Sequence, residues 1–301
     1  MAEVTAQMVK TLREKTGAGI SLCKEALVES DGDFDQAELY IRKKDKDKAA
    51  KKAERATGEG VVFVKINDAG AAGAMVEIAC ETDFAARNEQ FQAMGVEILD
   101  AILKAADLTD AQNIALPNGK TIEARVQEAV ATIGENMKFR RAARLEAPAA
   151  GGGVFYYRHF NQKAASLAAM QLEGVNAGDE AVQAVGRDVC MHVTSVRPIA
   201  LTKDDIPADV LAKEKEIYAD EVKGKPEEIQ EKILQGKLKK FYATTCLQEQ
   251  GFVKDDKTSV ADYVTAALKD AGGSGTLTGF ARLELGSGAI CAGGELAEIA
   301  E

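Results

Sequence analysis

The chain has 301 residues, enough for about two domains and for a core that buries roughly three quarters of the unfolded surface, so size does not limit its stability. Its apolar share is 46% but aromatics are only 5%, with no Trp, which favours close-packed helices rich in small residues over large aromatic cores. A formal charge of -10 argues against a general nucleic-acid binder and for a protein partner, while leaving room for a local basic stretch.

Residues 1–57 read as a unit of three short helices. Val4, Met8, Val9 and Leu12 make one helical stripe, Ile20, Cys23, Leu27 and Val28 a second, and Phe34, Ala37, Leu39, Tyr40 and Ile41 a third. Thr16-Gly17-Ala18-Gly19 and Ser30-Asp31-Gly32-Asp33 supply the turns. The Gly-Ala-Gly has neither a preceding strand nor a G-x-x-x-x-G-K-[ST] pattern, which speaks against a phosphate loop. Arg42 to Arg55 holds eight basic and three acidic residues and continues the third helix into a linker. The plain reading of that run is a solvated helix face, the sharper one a site for RNA or the ribosome. Gly58-Glu59-Gly60 marks the boundary.

From Val61 the period is two. Val62, Val64 and Ile66 precede an Asn67-Asp68-Ala69-Gly70 turn, and Val76, Ile78 and Cys80 then alternate with Glu77, Ala79 and Glu81, as in a half-buried strand of a hairpin. At Glu81-Thr82-Asp83-Phe84 the alternation stops. Phe84, Arg87, Asn88, Phe91, Met94, Gly95, Ile98, Leu99 and Ile102 recur at helical spacing toward Ala106, with Thr82 or Asp83 as N-cap. The Thr-Asp-Phe triplet has two readings. In one, Asp83 caps the helix and Phe84 is a buried contact; in the other, an exposed Phe sits beside an acid at a rigid junction, built to be pushed into another protein. A turn at Pro117-Asn118-Gly119, a helix lined by Ile122, Val126, Ala129, Val130 and Ile133, and a strand from Met137 to Leu145 complete a first α+β half, residues 58–147.

Pro148-Ala149-Ala150-Gly151-Gly152-Gly153 is a hinge-like stretch before a second half, residues 148–205 and 242–288. Val154 to His159 and Ala164 to Leu172 read as paired strands, Asp179 to Val193 as a helix, Val260, Val264, Ala267 and Leu268 as another, and Thr276 to Leu285 as a returning strand. Residues 206–241 read as an inserted helical hairpin: Val210, Leu211, Ile217, Tyr218 and Val222 face Ile229, Ile233, Leu234, Leu238 and Phe241. Its reversal is Gly224-Lys225-Pro226-Glu227-Glu228, with Pro opening the second helix, and its seam is free to close on itself or on another subunit. Residues 289–301 form a short tail ending in one or two weak helical turns over Glu295 to Glu301.

The five cysteines, Cys23, Cys80, Cys190, Cys246 and Cys291, are far apart and never in C-x-x-C spacing, which points to reduced thiols and a cytoplasmic protein. Cys190 and His192 would diverge on a helix, and no nucleophile or carboxylate accompanies His159 or His192 in sequence, so neither a metal site nor a catalytic residue is expected. No run reaches the eighteen or so apolar residues of a membrane span, and the amphipathic, charged start suggests neither signal nor transit peptide.

Leu12-Arg13, Thr16-Gly17-Ala18-Gly19-Ile20 and Cys23-Lys24-x-Ala26-Leu27 resemble the N-terminal signature of bacterial elongation factor Ts, the guanine-nucleotide exchange factors of elongation factor Tu. Glu81-Thr82-Asp83-Phe84-x-Ala86-Arg87-Asn88 resembles the family's second signature, and Thr278-Gly279-Phe280-x-Arg282 continues the likeness near the end. The resemblance implies an α+β protein with an N-terminal three-helix ubiquitin-associated-like bundle, a two-part α+β core, an inserted coiled-coil arm and a short C-terminal tail. It also implies that the second half contacts the partner's far domain and that a C-terminal helix adds a contact. Tyr156-Tyr157-Arg158-His159-Phe160-Asn161-Gln162-Lys163 replaces the family's glycine-containing hairpin, and Ala85 is smaller than the Val often found there.

The function so implied is that of an elongation factor in protein biosynthesis, with no bond-making chemistry, no cofactor and no nucleotide site of its own. Thr82, Asp83, Phe84 and Ala85 would form a wedge that disturbs the Mg²⁺ site of elongation factor Tu, and Leu12, Arg13, Gly19, Ile20 and Lys24 a second grip; a homodimer would give a two-to-two complex. The competing class is a helical protein- or RNA-binding module without exchange activity, which a strongly salt-dependent RNA affinity would reveal. An enzyme is disfavoured because nothing gathers a nucleophile, a base and an oxyanion site.

Overall fold

Helical periodicity at the start of the chain is realised as three helices. In the computed structural model, which describes residues 4–223 and 226–299, these are α1 (Ala6–Thr16), α2 (Ile20–Glu29) and α3 (Phe34–Lys52). The Thr5 hydroxyl accepts the Met8 N–H at 3.2 Å to start α1, and the Asp33 carboxylate accepts the Asp35 and Gln36 N–H groups to start α3. Leu12, Cys23, Ala26, Leu27, Ala37 and Ile41 fill the interior. The small Ala26 and Ala37 let α2 and α3 approach, and Ile20, Val28 and Leu39, assigned to the apolar stripes from sequence, face solvent instead. The basic end of α3 is not purely a solvated face, because it runs along a later helix, α6 (Ile122–Ile133), with the Lys52 ammonium 3.4 Å from the Val130 carbonyl oxygen.

Two four-stranded antiparallel sheets stacked face to face form the core of the rest of the described chain. The first half contributes β1 (Glu59–Ile66), β2 (Ala72–Cys80), α4 (Asp83–Ala86), α5 (Glu89–Lys104), α6 and β3 (Met137–Glu146). The second contributes β4 (Gly152–Arg158), β5 (Ala164–Glu173), α7 (Glu180–Val196), α10 (Val260–Asp270) and β8 (Ser274–Glu284). Two short strands, β9 (Ile290–Ala292) and β10 (Glu295–Glu298), finish the sheets, whose orders are β1-β2-β3-β10 and β4-β5-β8-β9. Val62, Met75, Leu145, Val154, Leu167 and Leu283 meet between the sheets. Phe63, Val76, Ile78, Phe91 and Ile98 pack beneath α5 and α6, and Phe155, Met170, Val189, Val264 and Phe280 beneath α7 and α10. Four layers result, helix, sheet, sheet, helix, and each buried large side chain contributes about 1.5–3 kcal/mol.

This stacking overturns the expectation that β2 is half-buried. Its second face lies under the other sheet, and Glu77 on that face is fully buried. Its carboxylate accepts from Arg141 Nη1 at 2.8 Å and from the Gly286 N–H at 3.1 Å, so the charge is paired as burial requires. The hinge-like glycines Gly152 and Gly153 belong to β4.

The tail also departs from expectation. Instead of helical turns, β9 pairs with β8 and β10 with β3, tying both sheets together; Ala300 and Glu301 lie outside the described residues. A helix of so few residues cannot repay its nucleation, whereas an open sheet edge offers ready hydrogen bonds. The inserted segment is α8 (Ala208–Val222) packed on α9 (Glu227–Thr245), with Ala200, Ile206 and Cys246 buried at its base. Of the reversal predicted at 224–228, Gly224 and Lys225 lie outside the described residues, and Pro226 is the N-cap of α9. After the arm comes a small hairpin without a clear sequence signal, β6 (Gly251–Phe252) and β7 (Asp255–Ser259).

Candidate partner-binding turn at Thr82–Ala85

β2 delivers the chain to the end of the first sheet, and Thr82 stops it. Its backbone is extended (φ -131°, ψ 158°) and its hydroxyl oxygen accepts the Ala85 N–H at 3.2 Å, so Thr82 and not Asp83 caps α4. The same hydroxyl donates to Glu135 Oε1 at 2.7 Å, while the Thr82 N–H donates to Glu135 Oε2 at 3.0 Å. Both carboxylate oxygens of Glu135 therefore hold one residue, in a charge-assisted arrangement. Ala85 and Ala86 are buried against the first sheet.

On this platform Phe84 points outward, with 80% of its surface exposed, so the reading of Phe84 as a buried junction contact does not hold. Asp83 makes only an exposed ion pair, 3.0 Å to Arg87 Nη2, of the kind worth about 0–1 kcal/mol. The helix predicted to run unbroken from Phe84 is two helices, because Asn88 breaks it: its side-chain oxygen accepts the Gln90 N–H at 2.8 Å and starts α5 anew. Gln92 Nε2 reaches back to the Ala86 carbonyl at 2.5 Å and fastens the short turn from behind. Beneath it, burial first and then the neighbouring Glu135 and Glu59 charges push the Cys80 thiol up to about 12, so it stays protonated.

The sequence-derived residues of the helical unit are divided. Arg13, Gly19, Lys24 and Ile20, the last 58% exposed, form surface around the start of α2, while Leu12 is buried and supports them from inside. The Gly17-Ala18-Gly19 segment joins two helices. His192 is fully buried; its Nδ1 accepts the Val253 N–H at 3.1 Å and its Nε2 lies 2.8 Å from Gln250 Oε1. His159 is half-buried, with Nδ1 3.1 Å from the Tyr157 hydroxyl, and its ring lies tilted 4.5 Å from that of Phe160, which is 86% exposed at the β4–β5 tip. Among the described residues no cluster of three His, Cys, Asp or Glu could hold a metal ion, and no helix is long and apolar enough to cross a membrane.

Two features escape the sequence reading. Phe160 carries a usable signal, a large apolar ring set directly before the polar Asn161-Gln162-Lys163 turn. Glu135 carries none, because its partner Thr82 is 53 residues away.

A family model described as Elongation factor TS matches residues 81–287. Among curated relatives, Elongation factor Ts of Trichlorobacter lovleyi is 41% identical over 292 residues, covering 95% of this chain and 93% of the relative. That of Nautilia profundicola is 40% identical over 298 residues (96% and 95%), and that of Rhodospirillum rubrum 42% identical over 300 residues (96% and 94%).

Proposed function

The chain belongs to the elongation factor Ts family, and we propose from that premise that it works in protein biosynthesis as the guanine-nucleotide exchange factor of elongation factor Tu. The observation that carries the reading is Phe84, an exposed aromatic on a turn held rigid by Thr82 and Glu135. An apolar ring displayed without cover on a doubly fastened turn is suited to enter a partner, and burying one at a hot spot contributes about 2 kcal/mol or more.

Elongation factor Tu holds GDP through phosphate contacts and an octahedral Mg²⁺ ion. Phe84 enters between helices of its nucleotide-binding domain, Asp83 exchanges its weak pairing with Arg87 for polar contacts there, and the shifted helices disturb the Mg²⁺ site. Thr82 and Ala85 hold the wedge from below. Arg13, Gly19, Ile20 and Lys24, supported by Leu12, give the second grip. By linkage, whatever weakens GDP on the partner weakens the exchange factor on the GDP-bound form equally, so exchange is accelerated without shifting the final GDP:GTP ratio. The chain itself makes no bond and needs no nucleotide site.

In the same reading α1–α3 are a ubiquitin-associated-like domain ending near residue 57, α8 and α9 a coiled-coil arm over 206–241, and the second half a contact for the partner's far domain. A homodimer giving a two-to-two complex fits the arm, and the cytoplasm fits its free thiols. The test is release of a fluorescent GDP analogue from elongation factor Tu at fixed Mg²⁺. Substoichiometric amounts of the chain should accelerate release; a folded chain without effect on a matched bacterial partner refutes the function.

A further inference from the structure

Resting on the exchange reading, the geometry points to Asn136, with Glu135 beside it, as a positioning joint. It locks the helical unit α1–α3 to the Phe84 turn, so that both meet the partner as one preformed surface. Between Gly134, which ends α6, and Met137, which opens β3, only these two residues intervene, and each grips a different element. The Asn136 side chain is buried, and its Nδ2 donates to the carbonyl oxygens of Ala53 at 3.2 Å and Arg55 at 2.6 Å, just beyond α3. Its backbone N–H donates to the Glu81 carboxylate at 2.5 Å, and Glu135 holds the next residue, Thr82, with both oxygens. Arg55 also reaches Glu81 at 3.5 Å, and Arg140 donates to Thr57 at 3.0 Å.

Among the described residues the buried apolar cluster of α1–α3 is separate from that of the first half. The end of α3 is basic, and a groove of about 290 Å³ remains between it, α6 and β3, bounded by residues such as Ala53, Val130 and Phe139. A buried amide serving two carbonyls is directional where apolar packing is not, and its loss leaves both acceptors unpaired. Two surfaces held in fixed relation bind as one, whereas surfaces on a free linker depend on effective concentration for the second contact.

Residual dipolar couplings measured on the free protein test the joint without the partner. In the wild type, α1–α3 and the two sheets should fit a single alignment tensor. In Asn136→Ala, and in the isosteric Asn136→Asp that loses the same donors, α1–α3 should require a tensor of their own. In GDP release, both variants should raise the half-saturating concentration about tenfold and leave the limiting rate within about twofold, since Glu135 still holds Phe84. With the chain held substoichiometric and the elongation factor Tu–GDP complex varied, simple loss of folded chain would lower the limiting rate and leave the half-saturating concentration in place. Two tensors in the wild type, one tensor in the variants, or an unchanged half-saturating concentration overturns the joint. A wild type that fits one tensor but never accelerates release overturns the exchange reading and leaves the joint standing.

Discussion

The Phe63 ring on β1 packs over Gly95 of α5, and Phe155 on β4 packs over Gly186 of α7 in the same way. Each half pairs its outer hairpin strand with an inner one, β2 or β5, whose register with the next strand shifts at Glu77/Ile78 and at Ala169/Met170, where β3 and β8 carry the extra residues Arg140 and Thr278. Each returns, after two covering helices, to a third strand beside the inner one. The halves differ where chain leaves this plan. After β2 stands the Thr82-capped turn with Phe84 outward; after β5 stands a Gly174-Val175-Asn176 turn, closed by Asp179 on the Asn176 N–H at 2.8 Å, that displays no large apolar side chain. Between the covering helices the second half carries the α8–α9 arm. One scaffold is used twice, and the exposed features that distinguish the halves sit at its connections.

The largest effect should come from breaking what the halves share. A Cβ at Gly95 would lie 2.1 Å from the Phe63 ring, and one at Gly186 2.0 Å from the Phe155 ring, with both rings buried. Gly95→Ala and Gly186→Ala should each destabilise by up to about 3 kcal/mol despite alanine's better helix propensity, as measured by denaturant melts. Unequal losses would mean that one half relaxes where the other cannot, and the scaffolds would then be alike in outline only.

Next come substitutions at what the halves do not share. Phe84→Ala removes an exposed ring, so stability should stay within about 0.5 kcal/mol while exchange falls about thirtyfold or more. Val175→Ala, at the matching junction of the second half, should leave exchange unchanged. If Phe84→Ala unfolds the protein, or exchanges normally, the wedge is wrongly assigned. A smaller change tests the support: Thr82→Ala should cost about 1 kcal/mol for the lost cap. It should also slow exchange less than Phe84→Ala, because the ring remains but its platform loosens. Equal exchange losses would mean that the turn's rigidity, not the ring, does the work.

Legibility in the sequence followed locality. The β1–β2 hairpin, the turn at Ser30-Asp31-Gly32-Asp33 between α2 and α3 and the position of the Thr82–Phe84 junction rest on neighbours in the chain. Asn88 was a readable breaker, since an Asn ahead of a fresh apolar period is an N-cap signal. The buried second face of β2 was not readable, because the sheet that covers it is built from residues 152–284. Nor was Glu135, which looks like any acid after a helix-ending glycine until folding brings it to Thr82. Ile20 and Leu12 share one apolar signature, and only packing separates the exposed residue from the buried one.

The smallest expected effect distinguishes the halves by pH. Six residues beyond Gly95 on α5 stands Ala101; six beyond Gly186 on α7 stands His192, buried and bonded to Gln250 and Val253, where the chain returns from the arm. Nδ1 accepts the Val253 N–H, so the neutral ring must carry its proton on Nε2, facing Gln250 Oε1. A second proton would have to sit on Nδ1 against that N–H. Burial, opposed only by the Gln250 hydrogen bond, lowers the His192 pKa from its usual 6.5. Between that lowered value and 6.5 the unfolded chain binds a proton that the folded one refuses, so this contribution to stability is complete above 6.5 and declines as pH falls below it. The stability difference between wild type and His192→Gln should therefore shrink from pH 7.5 toward pH 5, read from melts at matched ionic strength. A difference that stays constant would mean that folding leaves the His192 pKa where it stands in the unfolded chain, and that burial does not hold the ring neutral.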